Sequence, residues 1–356
     1  MGGIRVISVA ENFPGPHATM ILSDLGAEVI SVEKPDGDPT RSLPGHFAAL
    51  NRGKRSIVLD LKTSDGVDVL RRLALTADVF VEGYRPGVAA RLGIDAETLR
   101  AEHPELIYAS LSAFGQSGPL SGRGGHDLTV RGMAGLIYAD DVSGEREGIP
   151  LADIAGATYA VIGIVSALFR RTRTGTGAHL DISMLDSLLA WRAPDLGALL
   201  SGFEPSHRSK DPGYGAFRSR DDVPFTLSIA GDDPHWQALC LALGLDELQH
   251  ESPKNRERQT ERLNEMLHSA ISARDFADLS HDLEARGIEI GAILQGLDVV
   301  DNEHADARGV VLEAGDLSGG RSVRQPVLFD GEPSSITRRA PNLGEHTDEI
   351  LAQLGL

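Results

Sequence analysis

The sequence predicts an α/β fold: a doubly wound parallel sheet in a large domain, followed by a smaller α+β domain. Three observations carry that prediction. Short apolar runs alternate with helical patterns from Ile4 to Ser183, as βαβ units require. The composition then turns polar and rich in Gly, Pro, Ser and charge from Gly202 to about Asp222, which reads as a linker or an active-site loop. Finally, the chain has 356 residues, and roughly 100–200 residues make a domain.

The elements follow in order. Ile4-Arg5-Val6-Ile7-Ser8-Val9 reads as a first strand, and Asn12-Phe13-Pro14-Gly15-Pro16 breaks it. A helix through Met20, Ile21 and Leu25 leads to a second strand, Ala27 to Val32. Strand, helix and strand over about thirty residues form one βαβ unit. The pattern recurs in strands Ser56–Leu61, Asp78–Glu82 and Leu106–Leu111, with a helix capped by Ser64 between the first two. A long helix from about Asp153 to Arg171 precedes strand His179–Ser183, and another helix runs from near Leu185 to Leu200. Beyond the polar stretch come strand Phe225–Ile229 and helices near 234–243, 257–271 and 273–286. The domain bounds read as 1–200, 201–325 and a C-terminal segment 326–356 with its own short helix.

Composition excludes several classes. The chain carries 52 acidic against 34 basic side chains, a net charge of −18. Nucleic acid and anionic membrane surfaces would be repelled. An anionic ligand then needs a local site. Cys240 is the only cysteine, so an intrachain disulfide and a Cys-rich zinc site are excluded. The longest apolar stretch, Ala157 to Phe169, is interrupted by Thr158, Gly163 and Ser166. It is too short to span a bilayer and is expected as a buried helix. A signal pattern is absent at the N-terminus, and a cytoplasmic, reducing location is expected.

Local chemistry narrows the search. The βαβ start lacks the Gly-x-Gly-x-x-Gly of dinucleotide binding; the chain reads Glu11-Asn12-Phe13-Pro14-Gly15-Pro16. A nicotinamide dehydrogenase is therefore a poor alternative, and no spacing of His, Asp and Glu fits a metal site. Two basic clusters stand out: Asn51-Arg52-Gly53-Lys54-Arg55 before a strand, and Arg85 in Gly83-Tyr84-Arg85-Pro86-Gly87 after one. Each is either solvated surface charge or a phosphate site. In Gly124-Gly125-His126-Asp127, His126 is a candidate proton carrier, while Asp127 suits a helix start. Asp153 follows Pro150 and opens the long helix. It reads as an N-cap, or as a carboxylate whose pKa a buried helix start can tune.

Together these segments resemble the family III CoA-transferase and α-methylacyl-CoA racemase superfamily. The matching stretches are Gly15-Pro16 with Leu25 to Val29 and Val32-Glu33-Lys34-Pro35; Asn51 to Ser56 with Leu59 to Lys62; Glu82 to Gly87 with Arg91-Leu92-Gly93; Gly115 to Pro119; and Leu343 to Thr347. Their order and spacing cover nearly the whole chain. The resemblance implies a Rossmann-like large domain, a smaller domain, and an interlocked homodimer with active sites shared between chains. It implies an acyl-CoA substrate and no cofactor beyond that CoA. Lys34, Asn51, Arg52, Lys54 and Arg85 fall in or near the family's CoA-binding segments, and Tyr214 is placed beside the site.

The resemblance leaves two reactions. In transferases, an aspartate at the position of Asp153 is a nucleophile that becomes an aspartyl-CoA thioester. In racemases it is one of two bases, paired with a His in Gly-His-Asp, as in Gly125-His126-Asp127. Inversion next to a thioester needs proton removal on one face and return on the other, and His126 with Asp153 would supply both. Backbone N–H groups at the Asp153 helix start would hold the enolate. Asp233, in Asp233-Pro234-His235-Trp236, stands where racemases carry an acid that orients the His. Three features depart from the racemases: Leu128-Thr129-Val130 replaces polar residues, the stretch from Asp140 to Gly148 is short and acidic, and Asp232-Asp233 resembles a transferase segment. Racemisation of a 2-methyl-branched or related acyl-CoA is the favoured reading, CoA transfer the alternative, and a non-enzymatic CoA binder the third.

Overall fold

A computed structural model describes residues 1–137, 148–203, 211–229, 233–312, 320–334 and 338–356. Most of the acidic stretch from Asp140 and the residue Asp232 lie outside the described residues. The chain folds as two compact units, one of Met1–Pro194 with His304–Leu356, and a second of Asp195–Glu303. The sequence places the bounds of the smaller domain at 201 and 325; the compact unit runs from 195 to 303.

The large unit is built on six strands: β1 (Arg5–Ser8), β2 (Glu28–Glu33), β3 (Arg55–Val58), β4 (Val79–Glu82), β5 (Ile107–Ser112) and β6 (Ala178–Ser183). All pair in parallel, in the order β3-β2-β1-β4-β5-β6. This is the doubly wound order that places a crevice where the chain reverses direction, between β1 and β4. Helices cover both faces: α1 (Pro14–Asp24), α2 (Pro44–Asn51), α3 (Ser64–Ala74), α4 (Val88–Leu92), α5 (Ala96–Glu102), α6 (Asp127–Met133), α7 (Leu151–Thr174) and α8 (Met184–Trp191); α9 (Ala193–Leu200) follows across the unit boundary and buries none of its residues. Neighbouring strand residues feed opposite cores. Ile7 and Phe80 pack with Ile30, Leu70 and Leu99, whereas Val6, Val79 and Val81 pack with Leu22 and Ile164. Burial on both faces is why these strands read as short, nearly unbroken apolar runs.

Helix α7 corrects the expectation of a fully buried helix. Ala157, Ala160, Ile164 and Ala167 lie in the core, and the three alanines let the helix sit close to the sheet. On the same helix Ile162, Val165 and Phe169 are 52%, 43% and 60% exposed. By length and composition α7 could cross a membrane; one of its faces is instead committed to this core. Asp153 is not its N-cap. That position is Pro150, and Asp153 lies in the first turn.

The C-terminal return seals the open edge of β3. Ser56 O accepts the His346 N–H at 2.9 Å. Val58 N–H donates to Thr347 Oγ1 at 3.2 Å, and Ile350 enters the first core. An edge strand is thereby protected from pairing elsewhere.

The smaller unit holds an antiparallel sheet of β7 (Tyr214–Arg218), β8 (Pro224–Ser228) and β9 (Ile290–Ala292). Helices α10 (Asp233–Leu243), α11 (Pro253–Arg258), α12 (Thr260–Ile271) and α13 (Phe276–Glu284) pack around Phe225, Trp236, Leu263 and Leu279. Strand β7 lies inside the stretch expected to be a loop. Of its five residues only Phe217 is buried, so the apolar signal is a single side chain. The helix expected over 257–271 is two helices, broken at Gln259.

Candidate active site

The crevice opens at the carboxyl ends of β1, β4 and β5. A cleft of about 470 Å³ is walled there by Ala10 to Gly15, Gly83 to Pro86, Leu111 to Ala113, Arg123 to His126, Asp153 and Met184. Gly15 allows α1 to begin this close. A Cβ there would lie 2.2 Å from the Ala10 Cβ, nearer than two carbons can approach. At Gly124 a Cβ would lie 2.6 Å from Arg85 Nη2, so the glycine lets this guanidinium rest against the turn.

The structure brings His126 and Asp153 into this one cleft, although 27 positions separate them in sequence. His126 is exposed, in extended conformation at the N-cap position of α6, and makes no capping bond. Its ring has no hydrogen-bond partner among the described residues. Asp153 is half-buried in the first turn of α7. Burial, then the nearby Asp127 charge, push its carboxyl up from 3.8 to about 7. The helix N-terminus pulls the other way, so desolvation is the larger effect here.

Asp127 is the residue whose role the sequence does not disclose. Its Oδ1 accepts the Ala152 N–H at 2.7 Å, and its Oδ2 pairs with Arg131 at 3.4 Å. Pro150 gives α7 no side-chain cap. Asp127 therefore caps α7 from outside the helix, satisfying one of the amides a helix start leaves bare. The same bond ties the His126 loop to the Asp153 turn. It also uses the Ala152 amide, leaving the first-turn amides of Leu151 and Asp153 as donors for a developing oxyanion.

Arg85 lines the cleft as expected, and Arg123 joins it. Neither guanidinium has an ion-pair partner among the described residues. Sequence reasoning missed Arg123; a basic residue beside the Gly-Gly-His turn was the available signal. Two uncompensated guanidinium groups make a local anion site in an acidic chain. Lys34 stands at the rim, paired with the cleft residue Glu11 at 3.1 Å.

The other basic cluster sits elsewhere. Asn51, Arg52 and Lys54 precede β3 at its amino end and do not line the cleft. Arg52 is buried and bonds both carboxylate oxygens of Asp24, at 3.2 and 2.6 Å. Lys54 is 1% exposed. Its Nζ donates to Pro16 O and to Asn51 Oδ1, each at 2.9 Å, and burial pushes it down to about 7. Asn51 in turn donates to Phe47 O. Lys54 thus braces the first turn of α1 through Pro16, and Arg52 its last turn through Asp24. The reading of this cluster as solvated surface charge is thus overturned.

Two expected residues belong to the smaller unit. Asp233 opens α10 and pairs with the buried Arg256 at 2.8 Å, whose guanidinium lies over the Trp236 ring. Tyr214 is exposed at the start of β7. Among the described residues no cluster of three or more His, Cys, Asp or Glu could hold a metal.

Comparisons with known proteins agree with this architecture. Residues 1–347 match the sequence profile of CoA-transferase family III. The chain is 34% identical to the succinate–glutarate CoA-transferase of Agrobacterium fabrum, over 99% of this chain and 95% of that protein. It is 32% identical to human α-methylacyl-CoA racemase, over 99% and 93%. A CAIB/BAIF family protein from Brucella suis superposes with a TM-score of 0.88 at 32% identity, covering 99% of this chain and 98% of that one. Sequence, sheet order and cleft converge on one assignment: the chain belongs to CoA-transferase family III, whose members include CoA-transferases and acyl-CoA racemases.

Proposed function

We propose that the protein is an acyl-CoA racemase or epimerase acting on a 2-methyl-branched or related acyl thioester. The observation that carries this reading is His126 and Asp153 in one cleft, with the Asp153 carboxyl raised to about 7. A carboxyl poised near neutrality is suited to giving and taking a proton. A nucleophilic carboxylate gains nothing from being held half protonated. An imidazole is its natural counterpart because it can both take and give a proton. In one direction the neutral imidazole of His126 removes the Cα proton and protonated Asp153 returns one to the opposite face. In the other direction the roles exchange. The Leu151 and Asp153 amides stabilise the enolate oxygen between the two steps.

Arg85 and Arg123 hold the CoA phosphates in this reading, Lys34 completes the rim, and Asn51, Arg52 and Lys54 act by holding the wall. Asp233 and Tyr214 meet the cleft from a second copy in an interlocked homodimer. No cofactor beyond the CoA of the substrate is needed. Incubation of a 2-methylacyl-CoA in D₂O is expected to place deuterium at Cα. Failure to exchange any of a panel of branched thioesters would sink the proposal.

CoA transfer through Asp153 is the second reading. It is favoured by relatives named as transferases at the same level of identity, and by a carboxylate with no hydrogen-bond partner among the described residues. Hydroxylamine would then convert Asp153 to a hydroxamate, but only with a donor thioester present.

A further inference from the structure

We propose that the large unit has a second site, away from the cleft, that binds a compact oxyanion such as a phosphate or a short-chain carboxylate. The site is a cavity of about 230 Å³ between α2 and the C-terminal return. Four of its ten lining residues are arginines: Arg52, Arg321, Arg338 and Arg339. None of the ten is acidic, in a chain whose acids outnumber its bases by 52 to 34. The site shares no residue with the catalytic cleft.

The cavity is built rather than incidental. Gly53 N–H donates to Arg338 O at 2.8 Å. Arg52 Nη1 donates to Ser322 Oγ at 3.1 Å, and Arg41 Nη2 to Pro341 O at 3.2 Å. These bonds fix the return segment against α2. Arg52 is oriented from behind by Asp24, and Arg339 by both oxygens of Glu345. The Arg338 guanidinium has no partner among the described residues. Such a fork matches the geometry of an oxyanion.

The opposite wall is apolar. Gly45, Ala48 and Ala49 stand three and four positions apart on one face of α2. Their small side chains leave a flat floor for a short carbon stem. Drug-sized ligands need about 300 Å³ or more, so this cavity fits only a small anion.

Calorimetry on the full chain tests this with inorganic phosphate and with succinate, each against chloride at equal ionic strength. Saturable binding of either one is expected, and which one binds identifies the source of the anion. Arg338→Ala should weaken it at least tenfold, and Ala49→Trp, which fills the cavity from an exposed helix face, should abolish it. Phosphate can also meet the cleft arginines, so the test is read in Arg85→Ala, where saturable binding should persist. No saturable signal above chloride in that variant would overturn the proposal. So would binding there that survives both cavity variants. None of these outcomes depends on which reaction the cleft performs.

Discussion

Burial raises the Asp153 carboxyl, and Asp127, held beside it by the Ala152 amide, raises it further. Asp127→Asn keeps an acceptor for that amide and removes the charge. The pKa of Asp153 should then fall, and the Asp153-dependent limb of the pH–rate profile should move to lower pH. An unmoved profile would show that burial alone sets the value. Asp153 also carries a stability signature. Its folded pKa is raised above the unfolded value, so its contribution is fully present below about pH 4 and is lost as pH rises through about 7. Asp153→Asn should therefore melt higher than the parent at pH 8 and gain nothing at pH 4. Each kcal/mol moves Tm by about 2–4 °C in a unit of this size, which calorimetric scanning resolves.

At the scale of elements, legibility followed burial. Strands such as Val79–Glu82, buried on both faces, announce themselves as apolar runs. Strand β7 buries one residue in five and does not. His126 and Asp153 are legible from the motifs they sit in. Arg52 and Lys54 are legible too, but their burial is not. Their acceptors, Asp24 and Pro16, lie a whole βαβ unit earlier, and nothing local marks them as partners. Asp127 is invisible as a cap for the same reason, since Ala152 is 25 positions away. The Asp24–Arg52 pair gives a direct check. Removing one partner of a buried ion pair typically costs about 3–5 kcal/mol. Asp24→Asn should show a loss of that order by urea denaturation, with m unchanged. A loss below about 1 kcal/mol, the range of an exposed pair, would mean the pair is solvated.

For the whole molecule, the net charge of −18 and two cleft arginines with no ion-pair partner among the described residues predict ligand binding that weakens with salt despite general repulsion. The apolar face of α7 adds a second expectation. Ile162, Val165 and Phe169 recur at helical spacing and are exposed, and a contiguous exposed apolar stripe marks a protein or membrane contact. In the proposed homodimer that contact is with a second copy. Light scattering should give the mass of two chains, and Phe169→Glu should shift it toward one. A monomeric parent would remove the shared-site model for Asp233 and Tyr214.

In the proposed reaction His126 and Asp153 work as a pair of bases. That pairing is tested most directly by following Cα deuterium and stereochemistry together, with one 2-methylacyl-CoA enantiomer in D₂O, for the parent chain and for His126→Ala. A positioned acid or base contributes about 10²–10⁴-fold. The parent should invert the substrate with deuterium at Cα, and the variant should lose inversion by at least a hundredfold. Inversion undiminished in His126→Ala would contradict the account. So would a parent that leaves Cα unexchanged while a donor thioester makes Asp153 trappable by hydroxylamine.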